Sequence, residues 1–326
     1  MPENHAWLLV KHITNTTGAQ SLQLDTTGEQ LLHFLYPFKK QSYLAKQVTL
    51  VNKVGILYHP MVKATQIKAK ELQRFLSSKS ISVWLCSAWE TEKARAQLND
   101  TSLLLSIGGD GTILRAAQIV APRTIPITGI NLGKLGFMTE LNVDEALEKL
   151  PSLLAGEGWL DERAMLEAEL LPTGQEPRTF HALNDVVVAR GAIARVVYVE
   201  ASIDGQQLTT YKADGVIAAT ATGSTSYSLA AGGPILYPQS SDFLLVPIMP
   251  HLRFSYPIVL SSTAVVKLRI TTIHQATLSI DGHINLPLSS DDIITIKHST
   301  HKTRFLRIHA ETSFYSSLEE RLKGKR

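Results

Sequence analysis

The sequence predicts an α/β domain with a parallel sheet, followed by a mainly β domain built as a sandwich. Three observations carry this. From Lys53 to Leu154, apolar runs of strand length alternate with amphipathic helical stretches, the pattern of a parallel sheet with crossover helices. Beyond Gly156 that alternation stops and short strand-like segments follow one another. The chain has 326 residues, which at about 150 per domain fits two domains and buries about three-quarters of the unfolded surface without staples.

The elements follow in order. Val54–Tyr58 is a continuous strand-length run, stopped by His59-Pro60. Ala69, Leu72, Phe75 and Leu76 share one helical face. Ile81, Val83 and Leu85 alternate as a second strand, Glu90–Leu98 is a charged helical stretch, and a third strand, Leu103–Ile107, ends on a glycine pair. A helix after Thr112 stops at Pro122, and Ile125–Ile130 supplies the next strand. Asn142 with Glu145 forms a capping box ahead of the stripe Val143, Ala146, Leu147, Leu150, Leu153 and Leu154. In the second half the strands are Met165–Leu171, Val186–Ala189, Val196–Ile203, Val216–Ala219, Val265–Ile270, Ile293–Ile296 and Phe305–Ile308. Asp204-Gly205 is a hairpin turn, and Phe314–Arg326 reads as a short helix with a basic tail. The domains are therefore 51–145 (α/β) and 146–310 (β), with 311–326 as helix and tail. Residues 1–50, where Leu22 and Leu24 alternate with polar neighbours before a turn at Thr26–Gly28, form an extension to which no role is assigned.

Apolar residues make up 44% and charged residues 19%, which excludes disorder as the dominant state. Lys plus Arg is 32 and Asp plus Glu is 29, so the net charge of +3 is too weak to argue for nucleic acid. The lone Cys86 sits in an apolar run and has no partner for an intramolecular disulfide, so a reducing cytoplasm is expected. No window approaches the roughly 18 apolar residues that span a bilayer, and the first residues resemble neither a signal peptide nor a transit peptide. A soluble intracellular chain, with no membrane partner, is expected.

Chemistry concentrates in a few segments. Gly108-Gly109-Asp110-Gly111-Thr112 lies where a buried strand meets a helix, the place where open parallel sheets bind ligands. Its glycines let the backbone approach an anion, and the helix start offers free N–H groups. Asp110 is a carboxylate where phosphates belong: either it caps the helix, or it faces a hydroxyl or a metal. A second series, Gly129, Gly133 and Gly136 before Phe137, does not fit the G-x-G-x-x-G spacing and reads as a tightly packed loop. Thr220-Ala-Thr222-Gly223-Ser224-Thr225-Ser226-Tyr227-Ser228 crowds hydroxyl side chains around one glycine, with Lys212-Ala-Asp214 just before it. Such a wall satisfies turns and helix starts and also suits a sugar and a flat base, with Tyr227 as a packing face. Asn184-Asp185 and Asp281-Gly282-His283 read by themselves as turns. The eleven histidines lack metal-ligand spacing, and Gly-x-Ser-x-Gly is absent.

Taken in order, GGDGT after a strand, GINLGKLGFMTEL, LNDVVVAR, KADGVIAATATGSTSYSLAAGGPI and DGH resemble the NAD kinase family from about Val54 to Ile308. The Thr-rich segment is the specific part; GGDG alone is shared with lipid kinases and phosphofructokinase. The resemblance implies the same two-domain fold, with the β domain binding NAD. It implies ATP-dependent phosphorylation of the adenosine ribose 2′-hydroxyl, with Mg²⁺ or another divalent cation accompanying ATP, and assembly as a homodimer or homotetramer. It makes Asp110 the proton acceptor, puts Gly111 and Arg115 at the nucleotide, and has Asn184 and Asp185 hold the adenosine. Lys212 and Asp214 would line the nicotinamide end, and Thr222, Gly223, Ser224, Thr225, Ser226 and Tyr227 the adenine and ribose wall. Arg195 and His283 would also contact ligand. Three positions depart from the family: Asp185 where Glu is frequent, Ala221 where Pro is common, and His283 where Gln is frequent. The last would make binding pH-dependent near the imidazole's ordinary value of about 6.5. The competing readings are a lipid kinase of the GGDG type and a non-catalytic NAD-sensing module. Polyphosphate as donor, NADH as acceptor and the assembly size are not legible in the sequence.

Overall fold

In a computed structural model, the structure describes residues 51–133, 136–191, 195–251, 256–272, 274–310 and 313–323. The N-terminal extension and the end of the basic tail lie outside the described residues.

The first half forms as expected. Strands β1 (Lys53–Tyr58), β2 (Ser82–Ser87), β3 (Leu103–Ile107), β4 (Ile127–Asn131) and β5 (Leu141–Asn142) pair in parallel. They are linked by helices α1 (Lys63–Ser78), α2 (Thr91–Arg95) and α3 (Asp110–Val120), and α4 (Ala146–Leu154) follows. Both faces of this sheet are covered. Val54, Ile56 and Leu105 pack with Leu72 of α1 and Leu150 of α4, whereas Leu57, Leu104 and Ile127 pack with Ile113 of α3. Such two-sided burial is why these strands read as continuous apolar runs. The capping box is present: Asn142 Oδ1 accepts from the Glu145 N–H at 3.0 Å, and Glu145 Oε1 accepts from the Asn142 N–H at 2.8 Å.

The second half is antiparallel and folds as a sandwich. One layer continues the parallel sheet through β17 (Ile293–Arg307), which pairs in parallel with β4 and antiparallel with β6 (Trp159–Leu171) and β14 (Val265–Thr271). Beyond β14 lie β9 (Val197–Ile203) and β10 (Gln206–Ala213), and β7 (Arg178–Ala182) pairs with β6. The other layer runs in the order β13 (Ile258–Leu260), β12 (Phe243–Ile248), β11 (Gly215–Ala219), β8 (Asp185–Arg190), β15 (Ala276–Ile280), β16 (Ile284–Leu288). Leu166, Val199 and Ile296 of the first layer meet Val188, Val216 and Leu278 of the second in one core. The Asp204-Gly205 turn joins β9 to β10 with both residues at positive φ, 51° and 78°, the conformation of a two-residue hairpin.

Two differences from the sequence reading have physical causes. Ile293–Ile296 and Phe305–Ile308 belong largely to one strand, β17, with a register shift between His298 and Lys302. The intervening polar run hides the continuity, although its Ser299 is buried. Strands β7, β10, β12, β13, β15 and β16 are additions; β10, for example, lies at the sheet edge and exposes polar residues. Among the described residues, no helix is long and apolar enough to cross a membrane. Helix α5 (Tyr227–Ala230) follows the Thr-rich segment, and α6 (Ser313–Lys323) closes the described chain.

Candidate active site

Asp110 is the first residue of α3, at the carboxyl end of β3, and no side chain caps that helix. Its carboxylate instead crosses to the second glycine series. Oδ2 accepts from the Phe137 N–H at 3.0 Å and Oδ1 from the Met138 N–H at 3.1 Å. Position 136 is glycine because a Cβ there would lie 2.3 Å from Asp110 Oδ1. The carbonyl side of the same loop is held by arginines. Arg307 Nη1 donates to the Met138 carbonyl at 2.9 Å and to Glu140 Oε2 at 3.1 Å, and Arg321 of α6 donates to the Gly136 carbonyl at 2.7 Å.

Helix α3 carries two further polar side chains. Arg115 lies 4.1 Å above the Trp89 ring. One turn on, Gln118 donates to Asp281 Oδ2 at 3.1 Å and also to the His181 carbonyl. Asp281 is an anchor: it also accepts from the backbone N–H groups of Leu183 (3.0 Å), Asn184 (2.7 Å) and Asp185 (3.1 Å). All its partners are donors, the pattern of a carboxylate. Asp185 is buried beside that charge: burial and Asp281 push its carboxyl up to about 7. The Asn184 side-chain oxygen is buried and has no protein partner.

The Thr-rich segment packs directly on this anchor. The Thr220 hydroxyl donates to the Leu183 carbonyl at 2.6 Å, and the Ser224 hydroxyl to the Ala221 carbonyl at 2.6 Å. A Cβ at Gly223 would sit 2.1 Å from the Asn184 carbonyl oxygen, so only glycine fits. Thr222 accepts from Arg163 at 3.3 Å. The Thr225 hydroxyl donates to the Thr222 carbonyl at 3.3 Å, Ser226 precedes α5, and Tyr227 remains exposed. His283 follows the Asp281 turn; burial, with the charge of Arg115, lowers its pKa, which moves its titration below the value expected from an ordinary imidazole.

The structure thus gathers Asn184, Asp185 and His283 around Asp281, with Gly223 against the Asn184 carbonyl, and ties Asp281 through Gln118 to the helix that begins with Asp110 and Gly111. It does not bring Lys212, Asp214 and Arg195 to that end. Asp214 precedes β11 and pairs with Arg190 at 3.1 Å, one strand length from Thr220, roughly 17 Å for five residues. Lys212 and Arg195 are exposed. A cavity of about 560 Å³ lies on the far side of the Gly136–Met138 loop, lined by Phe137, Glu140, Arg163, Tyr237, Arg307 and Arg321 among others. It touches the loop and Arg163 without being lined by Asp110, Asn184 or Asp185.

Comparison with known proteins decides the family. A model of the ATP-NAD kinase N-terminal domain matches residues 49–158 and one of the C-terminal domain matches 183–308. The chain belongs to the NAD kinase family. An NAD kinase of Dehalococcoides mccartyi is 49% identical over 84% of this chain and 97% of its own length. One from Chloroflexus aurantiacus is 38% identical over 84% of this chain and 99% of its own. Yeast NADH kinase, solved with NADH, superposes with a TM-score of 0.76 at 25% identity, covering 84% of this chain and 88% of its own. An Archaeoglobus fulgidus NAD kinase solved with ATP gives 0.67 at 25% identity, over 83% and 98%. This NAD kinase family member is therefore a kinase by descent and fold.

Several residues around the site went unread in the sequence: Gln118, Glu140, Asp161, Arg163, Arg307 and Arg321. Asp161 is buried and accepts from Arg163 (Nη2, 2.6 Å), Arg307 (3.1 Å) and Gln239 (3.1 Å). The i, i+2 spacing of Asp161 and Arg163 on a strand places both on one face, a signal available in the sequence. Arg307 and Arg321 gave none, because the loop carbonyls they hold lie more than 160 residues away.

Proposed function

We propose that this chain phosphorylates the 2′-hydroxyl of the adenosine ribose of NAD, with ATP as donor, and that Asp110 is the general base. The observation that carries the reading is the placement of Asp110: a carboxylate held at a glycine turn by two loop amides, one to each oxygen. Each oxygen keeps a lone pair for a substrate hydroxyl. A ribose hydroxyl is a poor nucleophile while protonated, and a carboxylate within reach takes its proton as attack on the γ-phosphorus develops. The chain otherwise supplies position and charge, which phosphoryl transfer chiefly requires. Gly111 and the open N–H groups of α3 face the phosphates, and Arg115 stands one turn further along.

Asn184 and Asp185 would hold the adenosine. The unpartnered Asn184 oxygen supports this, since it can accept from an amine or a hydroxyl. A protonated Asp185 can both donate and accept. Thr222 to Tyr227 would form the adenine and ribose wall, and His283 would contact the ligand. Lys212 and Asp214, at the other end of β11, would line the nicotinamide end, and Arg195 would contact the ligand.

Among the described residues no three or more His, Cys, Asp or Glu side chains stand together as a metal cage. The residues do not fit a divalent ion held by the protein, so no step is routed through one. The cation enters with the substrate, chelated by the phosphates of ATP. The buried Cys86 thiol supports a reducing, cytoplasmic setting. Exposed Met249, Tyr256 and Val259, near the β13 edge, support a homodimer or homotetramer.

The test is NADP formation from NAD and ATP, with diacylglycerol as the competing acceptor. Asp110→Asn should bind NAD and lose about 10²–10⁴ in kcat. Lipid phosphorylation without NADP would establish the lipid kinase, and NAD binding without NADP formation by the unmutated chain would establish a sensor. The wall of Thr and Ser side chains favours the dinucleotide over a lipid.

A further inference from the structure

Arg321 and Asp110 grip the same two peptide units from opposite sides. Arg321 Nη1 donates to the Gly136 carbonyl at 2.7 Å and to the Phe137 carbonyl at 3.2 Å. Those carbonyls belong to the peptide units whose N–H groups, on Phe137 and Met138, bind the Asp110 carboxylate at 3.0 and 3.1 Å. A trans peptide points its C=O and N–H in opposite directions, so a cation sits at the oxygen end of both units and an anion at the hydrogen end of both. Each charge polarises the peptides toward the other, and hydrogen bonds in such chains strengthen one another. The guanidinium is fixed on its own helix as well, since Nε donates to Ser317 Oγ, one turn earlier, at 2.9 Å. Arg321 is half-buried; burial and the nearby charge of Arg307 hold its guanidinium pKa below its usual value, with Asp110 and Glu140 opposing them.

We propose that Arg321 is a positioning residue for phosphoryl transfer, holding the Asp110 carboxylate in place through the Gly136–Phe137 and Phe137–Met138 peptide units. The inference rests on the reading of Asp110 as base. It gives the C-terminal helix a part in the chemistry, although Arg321 touches no reacting atom. Lysine at this position keeps the charge but cannot fork between two carbonyls and Ser317.

The test is a double-mutant cycle between Asp110→Asn and Arg321→Ala, which isolates what the two side chains do together. Arg321→Ala should lower kcat by about 10–100-fold while KM for the dinucleotide moves by less than about 3-fold, the signature of lost transition-state positioning. Arg321→Lys should recover part of that loss. In the Asp110→Asn background, where the group being positioned is gone, Arg321→Ala should cost less than about 3-fold. Equal losses in both backgrounds, or a raised KM at unchanged kcat, would mean that Arg321 merely docks its helix, and would overturn the proposal. If Arg321→Ala does not fold, Arg321→Lys runs the same cycle. Near-normal turnover by Asp110→Asn would instead locate the failure in the base assignment, and the positioning role would go with it.

Discussion

Two aspartates anchored on backbone amides, Asp110 and Asp281, show how one side chain serves two ends. Asp281 is fully buried and takes four N–H donors, from Leu183, Asn184, Asp185 and Gln118. Asp110 is half-exposed and takes two. Four donors in a dry interior leave nothing for a ligand, and removing the carboxylate would strand every one of them. Two donors at an open turn fix a direction and leave lone pairs facing solvent. The first arrangement builds a wall, and the second suits the base proposed for Asp110.

The largest effect that would sharpen this contrast is on stability. Asp281→Ala leaves several buried donors unpaired at about 1–3 kcal/mol each, so a loss of at least about 3 kcal/mol is expected. At roughly 2.1 cal/mol/K of unfolding entropy per residue, that is a drop of about 4–5 °C in Tm for a chain of this size, measurable by calorimetry. Asp110→Asn should stay within about 1 kcal/mol of the parent, because its site is partly solvated. A comparable loss from both would break the distinction.

Gly223→Ala comes next. The new methyl meets the Asn184 carbonyl at 2.1 Å, so backbone must move at a cost of about 1–3 kcal/mol. Because the carbonyl it strikes belongs to the proposed adenosine contact, KM for NAD should rise more than kcat falls, in steady-state assays.

The smallest effect is a pH slope. Asp185 is raised from 3.8 to about 7 by burial and by Asp281. The folded chain then keeps a proton that the unfolded chain releases, so this stabilisation is present at acid pH and lost as pH climbs from about 4 to about 7. The slope should be at most about 1.4 kcal/mol per pH unit. Asp185→Asn should flatten it in denaturant titrations across that range; an unchanged slope would mean that Asp185 is ionised in the folded chain.

The glycine turn and the hydroxyl segment were legible because glycine and small hydroxyl residues are rarely clustered without a backbone reason, and here Gly136 and Gly223 are each forced by a single close oxygen. Asp281-Gly282 was legible as a turn, and it is one, with φ of 49° and 70°. The use of its carboxylate was not, since a turn aspartate looks alike whether it faces water or four buried amides. The arginines were hidden for another reason: local pattern reports periodicity and propensity, whereas Arg307 and Arg321 act on carbonyls brought near only by the closed fold.

Strand β17 has a mechanical consequence. Its 15 residues pair with β14 and β6 in the sandwich and reach β4 of the parallel sheet, so one ladder, with a register shift between His298 and Lys302, runs through both halves. Bending one half against the other would tear that ladder. Admission and release of a nucleotide are therefore expected from small segments such as the Gly136–Met138 turn over the Asp110 carboxylate, with the frame itself staying still.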